Sequence, residues 1–108
     1  MARSSSQHDF QLDVEGLGSF TFGRRTMRDE FAIAAEYSRL TEGVQTPTEF
    51  LDAYARAFAT IKVLQVSGPS GWNIENLDPQ EDASYAQIRA VFAALRAQEA
   101  DFRQKPGA

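Results

Sequence analysis

Phe10-Gln11-Leu12-Asp13-Val14-Glu15-Gly16-Leu17-Gly18-Ser19-Phe20-Thr21-Phe22 is the stretch that decides the fold. Phe10, Leu12 and Val14 alternate with Gln11 and Asp13. Phe20 and Phe22 alternate with Thr21 and Gly23. Two period-2 runs around a glycine-containing connection predict a β-hairpin. A lone hairpin is only marginally stable in water. Its Phe/Leu/Val face therefore needs something to cover, and the rest of the chain reads as helices.

Thr26 is placed to cap a first helix, with Asp29 near its start. Met27, Phe31, Ala34, Ala35, Tyr37 and Leu40 recur at 3–4 spacing, and Gly43 is a stop signal. This predicts a helix over 26–41. Thr46-Pro47-Thr48-Glu49 has the form of a capping box with proline at the first helical position. Phe50, Leu51, Tyr54, Phe58, Ile61 and Leu64 follow it, so a second helix is expected over 47–65. Its β-branched end, Ile61 to Val66, has strand character as well. Ser67-Gly68-Pro69-Ser70-Gly71 breaks the pattern. Asp78-Pro79-Gln80-Glu81 repeats the cap–proline–acid form. It predicts a last helix over 79–103 with the stripe Tyr85, Ile88, Val91, Phe92, Leu95 and Phe102. The fold class is α+β: an N-terminal β-hairpin followed by three helices, mainly helical. One domain over 9–104 is expected, with a disordered tail at 1–8 and a flexible C-terminus at 105–108.

Composition excludes much chemistry. The 108 residues hold no cysteine and one histidine. Disulfides, thiolate metal sites, cysteine nucleophiles and two-histidine metal motifs are therefore ruled out. No cofactor and no metal are expected. The net charge of −4 opposes a duplex-coating nucleic-acid binder. No run approaches the 20 or so apolar residues of a membrane span. Met1 to Asp9 lacks the apolar stretch of a secretory signal, so a cytoplasmic location is expected. The 16 alanines are mostly clustered in 32–35, 53–59 and 90–97. Helix propensity explains them, and an alanine-rich face also suits a docked partner.

Few residues look catalytic. Gly16-Leu17-Gly18 separates two strands, whereas a dinucleotide loop must join strand to helix. Gly68-Pro69-Ser70-Gly71 lacks the lysine of a phosphate loop. His8 stands beside the expected tail with no orienting acid held near it. The pairs Asp29-Glu30 and Glu81-Asp82 fall in first helical turns, where the helix dipole favours carboxylates. Arg24, Arg25 and Arg28 resist so simple an account, because cations at a helix start oppose that dipole. They either pair with Asp29, Glu30 or the acidic loop 72–82, or they face an anionic partner. Trp72, the one tryptophan, is either a loop anchor or an interface residue. With Tyr37 and Phe92 as aromatic edges of the alanine-rich helices, these six are the candidate partner-binding residues.

The run from Gly16 to Glu30 (GLGSFTFGRRTMRDE) and the run Glu36 to Gly43 (EYSRLTEG) resemble small tail assembly chaperones of long-tailed bacteriophages and prophages. Pro69-Ser70-Gly71-Trp72 and Leu77-Asp78-Pro79 fit the same pattern, and the resemblance spans about residues 10–100. It implies a non-enzymatic protein that binds the tape-measure protein, keeps its apolar helical segments soluble and recruits tail-tube subunits. It further implies a place in the cytoplasm of the bacterial host and absence from the finished virion. Many members are made as a short form and a frameshifted longer form. Self-association is a further expectation. Two other readings stay open: a structural head–tail or tail connector retained in the particle, and a small acidic secretion-type chaperone.

Overall fold

The computed structural model describes residues 3–70 and 72–104. The hairpin forms as its alternation predicts. Strand β1 (Phe10–Val14) pairs antiparallel with β2 (Gly18–Phe22), Phe10 opposite Phe22 and Val14 opposite Gly18. The connection closes with the Leu17 amide donating to the Val14 carbonyl, 3.0 Å. Gly16 sits third in that turn at φ 83°, a left-handed conformation glycine adopts without a Cβ clash.

Helix α1 spans Met27–Thr41, within the expected bounds. Thr26 and Asp29 form a reciprocal capping box: Thr26 Oγ1 accepts from the Asp29 amide, and Asp29 Oδ2 accepts from the Thr26 amide. Its buried side matches the expected stripe only in part. Ile33 is buried and Tyr37 and Leu40 half-buried, whereas Met27 and Phe31 are 69% and 68% exposed. The helix carries two apolar stripes on opposite faces, and the core took the one containing the β-branched Ile33.

Helix α2 spans Glu49–Leu64 and begins two residues later than the proline suggested. Thr48, not Thr46, is the cap, its hydroxyl accepting from the Leu51 amide at 3.1 Å. Pro47 therefore precedes the helix and does not open it. Phe50, placed on the core stripe, is 58% exposed; the buried positions are Ala55, Ala57, Ala59, Thr60, Ile61 and Leu64. Helices α1 and α3 both pack on α2. Its small residues let them approach, so Ala55, Ala57 and Ala59 of α2 are buried while Ala32, Ala34 and Ala35 of α1 face solvent.

The strand character at the end of α2 is realised. Helix α2 passes directly into β3 (Gln65–Ser67), which pairs antiparallel with β2 across an irregularity at Thr21/Phe22. The sheet order is β1-β2-β3. A 3₁₀ turn at Ile74–Asn76 follows. Helix α3 then spans Asp82–Arg103, later than the expected 79. Asp78 caps a turn instead. Its carboxylate accepts from the Gln80 amide, and its carbonyl accepts from the Glu81 amide and the Ser84 hydroxyl.

The core lies between the sheet and the helices. Leu12, Val14, Phe20 and Phe22 meet Ile61, Leu64, Ile88, Val91 and Leu95 in one cluster, with Ile74 sealing the loop side. Each such side chain contributes roughly 1.5–3 kcal/mol of transfer free energy. Phe10 meets Phe102 edge-on at 5.0 Å, joining β1 to the far end of α3.

Within the segment expected as a tail, Arg3 donates its backbone amide to the Gln65 carbonyl and bonds through its guanidinium to Asp29. Gly23 leaves the space for that side chain: a Cβ there would stand 2.2 Å from Arg3 Nε. Met1, Ala2 and the expected flexible C-terminus 105–108 lie outside the described residues. Among the described residues no helix is long and apolar enough to cross a membrane.

Candidate functional site

Packing α1 and α3 on the same helix leaves a groove between them of about 270 Å³. Ile33, Ala34 and Tyr37 form one wall, Phe92 stands in the other, and Thr60 of α2 contributes to the floor. Arg25, Arg56 and Arg96 rim it, with Glu30. Three of the six candidate residues thus line one groove: Arg25, Tyr37 and Phe92. A second depression of about 500 Å³ shares Arg25, Glu30 and Arg96 with the first. It extends to Phe10, Arg24, Glu99, Phe102 and Arg103. The two depressions adjoin at these residues along α3, together termed the trough, and Arg24 belongs to the second of them.

Arg25 is tied inside the fold. Its Nε and Nη2 donate to the two carboxylate oxygens of Glu99 at 3.0 and 2.8 Å, and Nη1 donates to Glu30 at 2.7 Å. Glu99 is buried. Burial disfavours the Arg25 charge, but these carboxylates outweigh it and raise the guanidinium pKa. These partners include Glu30, as expected, but no residue of the acidic loop 72–82.

Three arginines of the trough lie on aromatic rings. The guanidinium carbon of Arg24 lies over the Phe102 ring, 3.9 Å from its centroid, that of Arg56 over Tyr37 at 5.0 Å and that of Arg96 over Phe92 at 5.6 Å. Tyr37 also donates its hydroxyl to Asp52, which raises the phenol pKa. Arg56 donates to the same carboxylate. Both bonds hold Asp52 below its usual range. This network fixes the Tyr37 ring at the groove wall.

The remaining candidates lie elsewhere. Arg28 is exposed beside Met27, Phe31 and Ala32 on the outer face of α1. Trp72 meets Phe20 edge-on at 5.1 Å and donates Nε1–H to Gln87 at 3.0 Å, so it tethers its loop to the hairpin and to α3. His8 is exposed and touches Gln7. Among the described residues no group of three His, Cys, Asp or Glu side chains is placed to hold a metal. Sequence reasoning missed Ile33, Thr60, Arg56 and Arg96. Nothing in their spacing singles them out.

No family model, curated protein or solved structure matches the chain.

Proposed function

We propose that this protein is a tail assembly chaperone that docks an apolar helical segment of the tape-measure protein in the groove between α1 and α3. The observation that carries the reading is that groove: apolar and aromatic walls from two helices that both pack on a third. A helix laid there inserts side chains at 3–4 spacing, the usual mode of helix-in-groove recognition. The sequence resemblance supplies the identity of the partner. The exposed Met27–Phe31 pair on the outer face of α1 offers a second apolar contact. Burial of apolar area supplies the affinity, less the costs of association. Tail-tube subunits displace the chaperone as the tube grows. On this reading the protein works in the cytoplasm of the bacterial host and is absent from the virion.

Co-expression of the full chain with the tape-measure protein tests this. A soluble complex is expected, and Ala34→Trp should abolish it, because Ala34 is an exposed wall residue whose enlargement fills the groove. Absence of association with both tape-measure and tube proteins refutes the reading. Stoichiometric presence in purified virions would also refute it, in favour of a connector.

A further inference from the structure

The trough along α3 concentrates positive charge in a chain that is negative overall. Its lining holds Arg24, Arg25, Arg56, Arg96 and Arg103 against two carboxylates, Glu30 and Glu99. The chain as a whole carries −4, so the surface outside the trough is more acidic than that figure. Glu99 is buried and engaged by Arg25, which leaves Glu30 as the exposed acid of the lining. Asp52, at the base of Arg56, is held by Tyr37 and Arg56 itself.

Ring contacts place two of these cations at the surface. Arg24 and Arg96 are both exposed, with their guanidinium carbons over the rings of Phe102 and Phe92 at 3.9 and 5.6 Å. A guanidinium offers the paired N–H donors that a carboxylate takes in bidentate fashion. The apolar walls between Ile33, Ala34 and Phe92 suit a row of aliphatic side chains.

We infer that the trough selects an acidic amphipathic helix: an apolar stripe seated between α1 and α3, with carboxylates on its flank gripped by Arg24 and Arg96. The inference rests on the groove being a helix-docking site. It adds the charge of the occupant and its direction of selection. The acidic surface elsewhere repels such a helix, so encounter is steered to the trough. Arg25, committed to Glu99, shapes the site without gripping the ligand.

Three synthetic helical peptides with one leucine–alanine stripe test this, bearing flanking Glu, Gln or Lys. Binding to the full chain is read by fluorescence anisotropy at low salt and at about 0.3 M salt, where screening is strong. The Glu peptide is expected to bind about tenfold tighter than the Gln peptide, and that margin should shrink with salt. Arg24→Gln with Arg96→Gln should remove the margin, so that the Glu and Gln peptides bind the variant alike. The charge-reversed pair Arg24→Glu with Arg96→Glu should favour the Lys peptide. Circular dichroism confirms that each variant is folded.

Equal binding of the Glu and Gln peptides overturns the inference while leaving the docking groove intact. Preference for the Lys peptide, or for single-stranded polynucleotide over the Glu peptide, also overturns it. Failure of all three peptides to bind removes the groove reading itself. The peptides are synthetic, so none of these outcomes depends on the tape-measure protein being the partner.

Discussion

Arg25→Gln is the perturbation that most directly tests how the trough is held. The side chain joins the link between β2 and α1 to the C-terminal third of α3 through two bonds to Glu99, whose side chain is 10% exposed. Taking away one partner of a buried pair leaves the other charge desolvated, at a cost of about 3–5 kcal/mol. Arg25 keeps 28% of its side-chain surface, which places this case near the lower bound. The bond to Glu30, half exposed, adds little. A loss of about 3 kcal/mol corresponds to a fall in Tm of about 10–15 °C for a domain of this size. Glu99→Gln removes the buried charge and should cost less, about 1–2 kcal/mol. The double variant should cost less than the sum of the two, with a coupling of at least about 1 kcal/mol. Urea unfolding followed by circular dichroism measures all four proteins, with a shared m-value as the check on two-state behaviour. A loss below about 1 kcal/mol for Arg25→Gln, or strict additivity in the double variant, would refute the reasoning.

Two further outcomes follow from caps and charges. Thr48→Ala should destabilise the protein by about 0.5–2 kcal/mol and Thr46→Ala by far less, since the Thr48 hydroxyl receives the Leu51 amide; equal losses in thermal unfolding would contradict the assigned cap. Bonding from Arg39 foremost, and from Lys62, holds the Glu36 carboxyl at about 2, down from 4.5, against the opposing effect of burial. A depressed carboxyl stabilises the fold above its unfolded pKa and loses that contribution as pH falls from about 4.5 toward 2. Glu36→Gln should therefore cost about 1–2 kcal/mol at neutral pH after allowance for solvent screening, and its deficit relative to the native chain should close in that window; a deficit unchanged down to pH 2 would exclude the mechanism.

The hairpin was legible because alternation has one physical meaning: Leu12, Val14, Phe20 and Phe22 share a face, and that face is buried. Helix starts were less legible. The local pattern with Pro47 and Glu49 favours Thr46 as the cap, yet the Leu51 amide bonds to Thr48. Asp78-Pro79 has the form of a cap, yet its side chain closes a turn four residues before the helix begins. The face of α1 could not be read from period alone, since Met27–Phe31 and Ile33–Tyr37 are both apolar at helical spacing. Of the site, Arg24, Arg25, Tyr37 and Phe92 were named from the sequence. Arg56 and Arg96 were not, because lying over the rings of Tyr37 and Phe92 is a property of two neighbouring helical turns or helices that spacing on a surface does not single out. Trp72 behaves as the tether that long loops need.

The direct passage of α2 into β3 at Leu64–Gln65 has a mechanical consequence. The Leu64 carbonyl already accepts from the Gly23 amide at 2.8 Å, so the last residue of the helix is bonded into the sheet region. One residue added at that junction would either rotate α2 by about 100° relative to the sheet or turn β3 over. The junction therefore works as a gear mesh: the angular phase of the groove floor and the register of the sheet are one setting. Slack in chain length belongs to 42–48 and 68–81, where it can lengthen the path without re-aiming the groove.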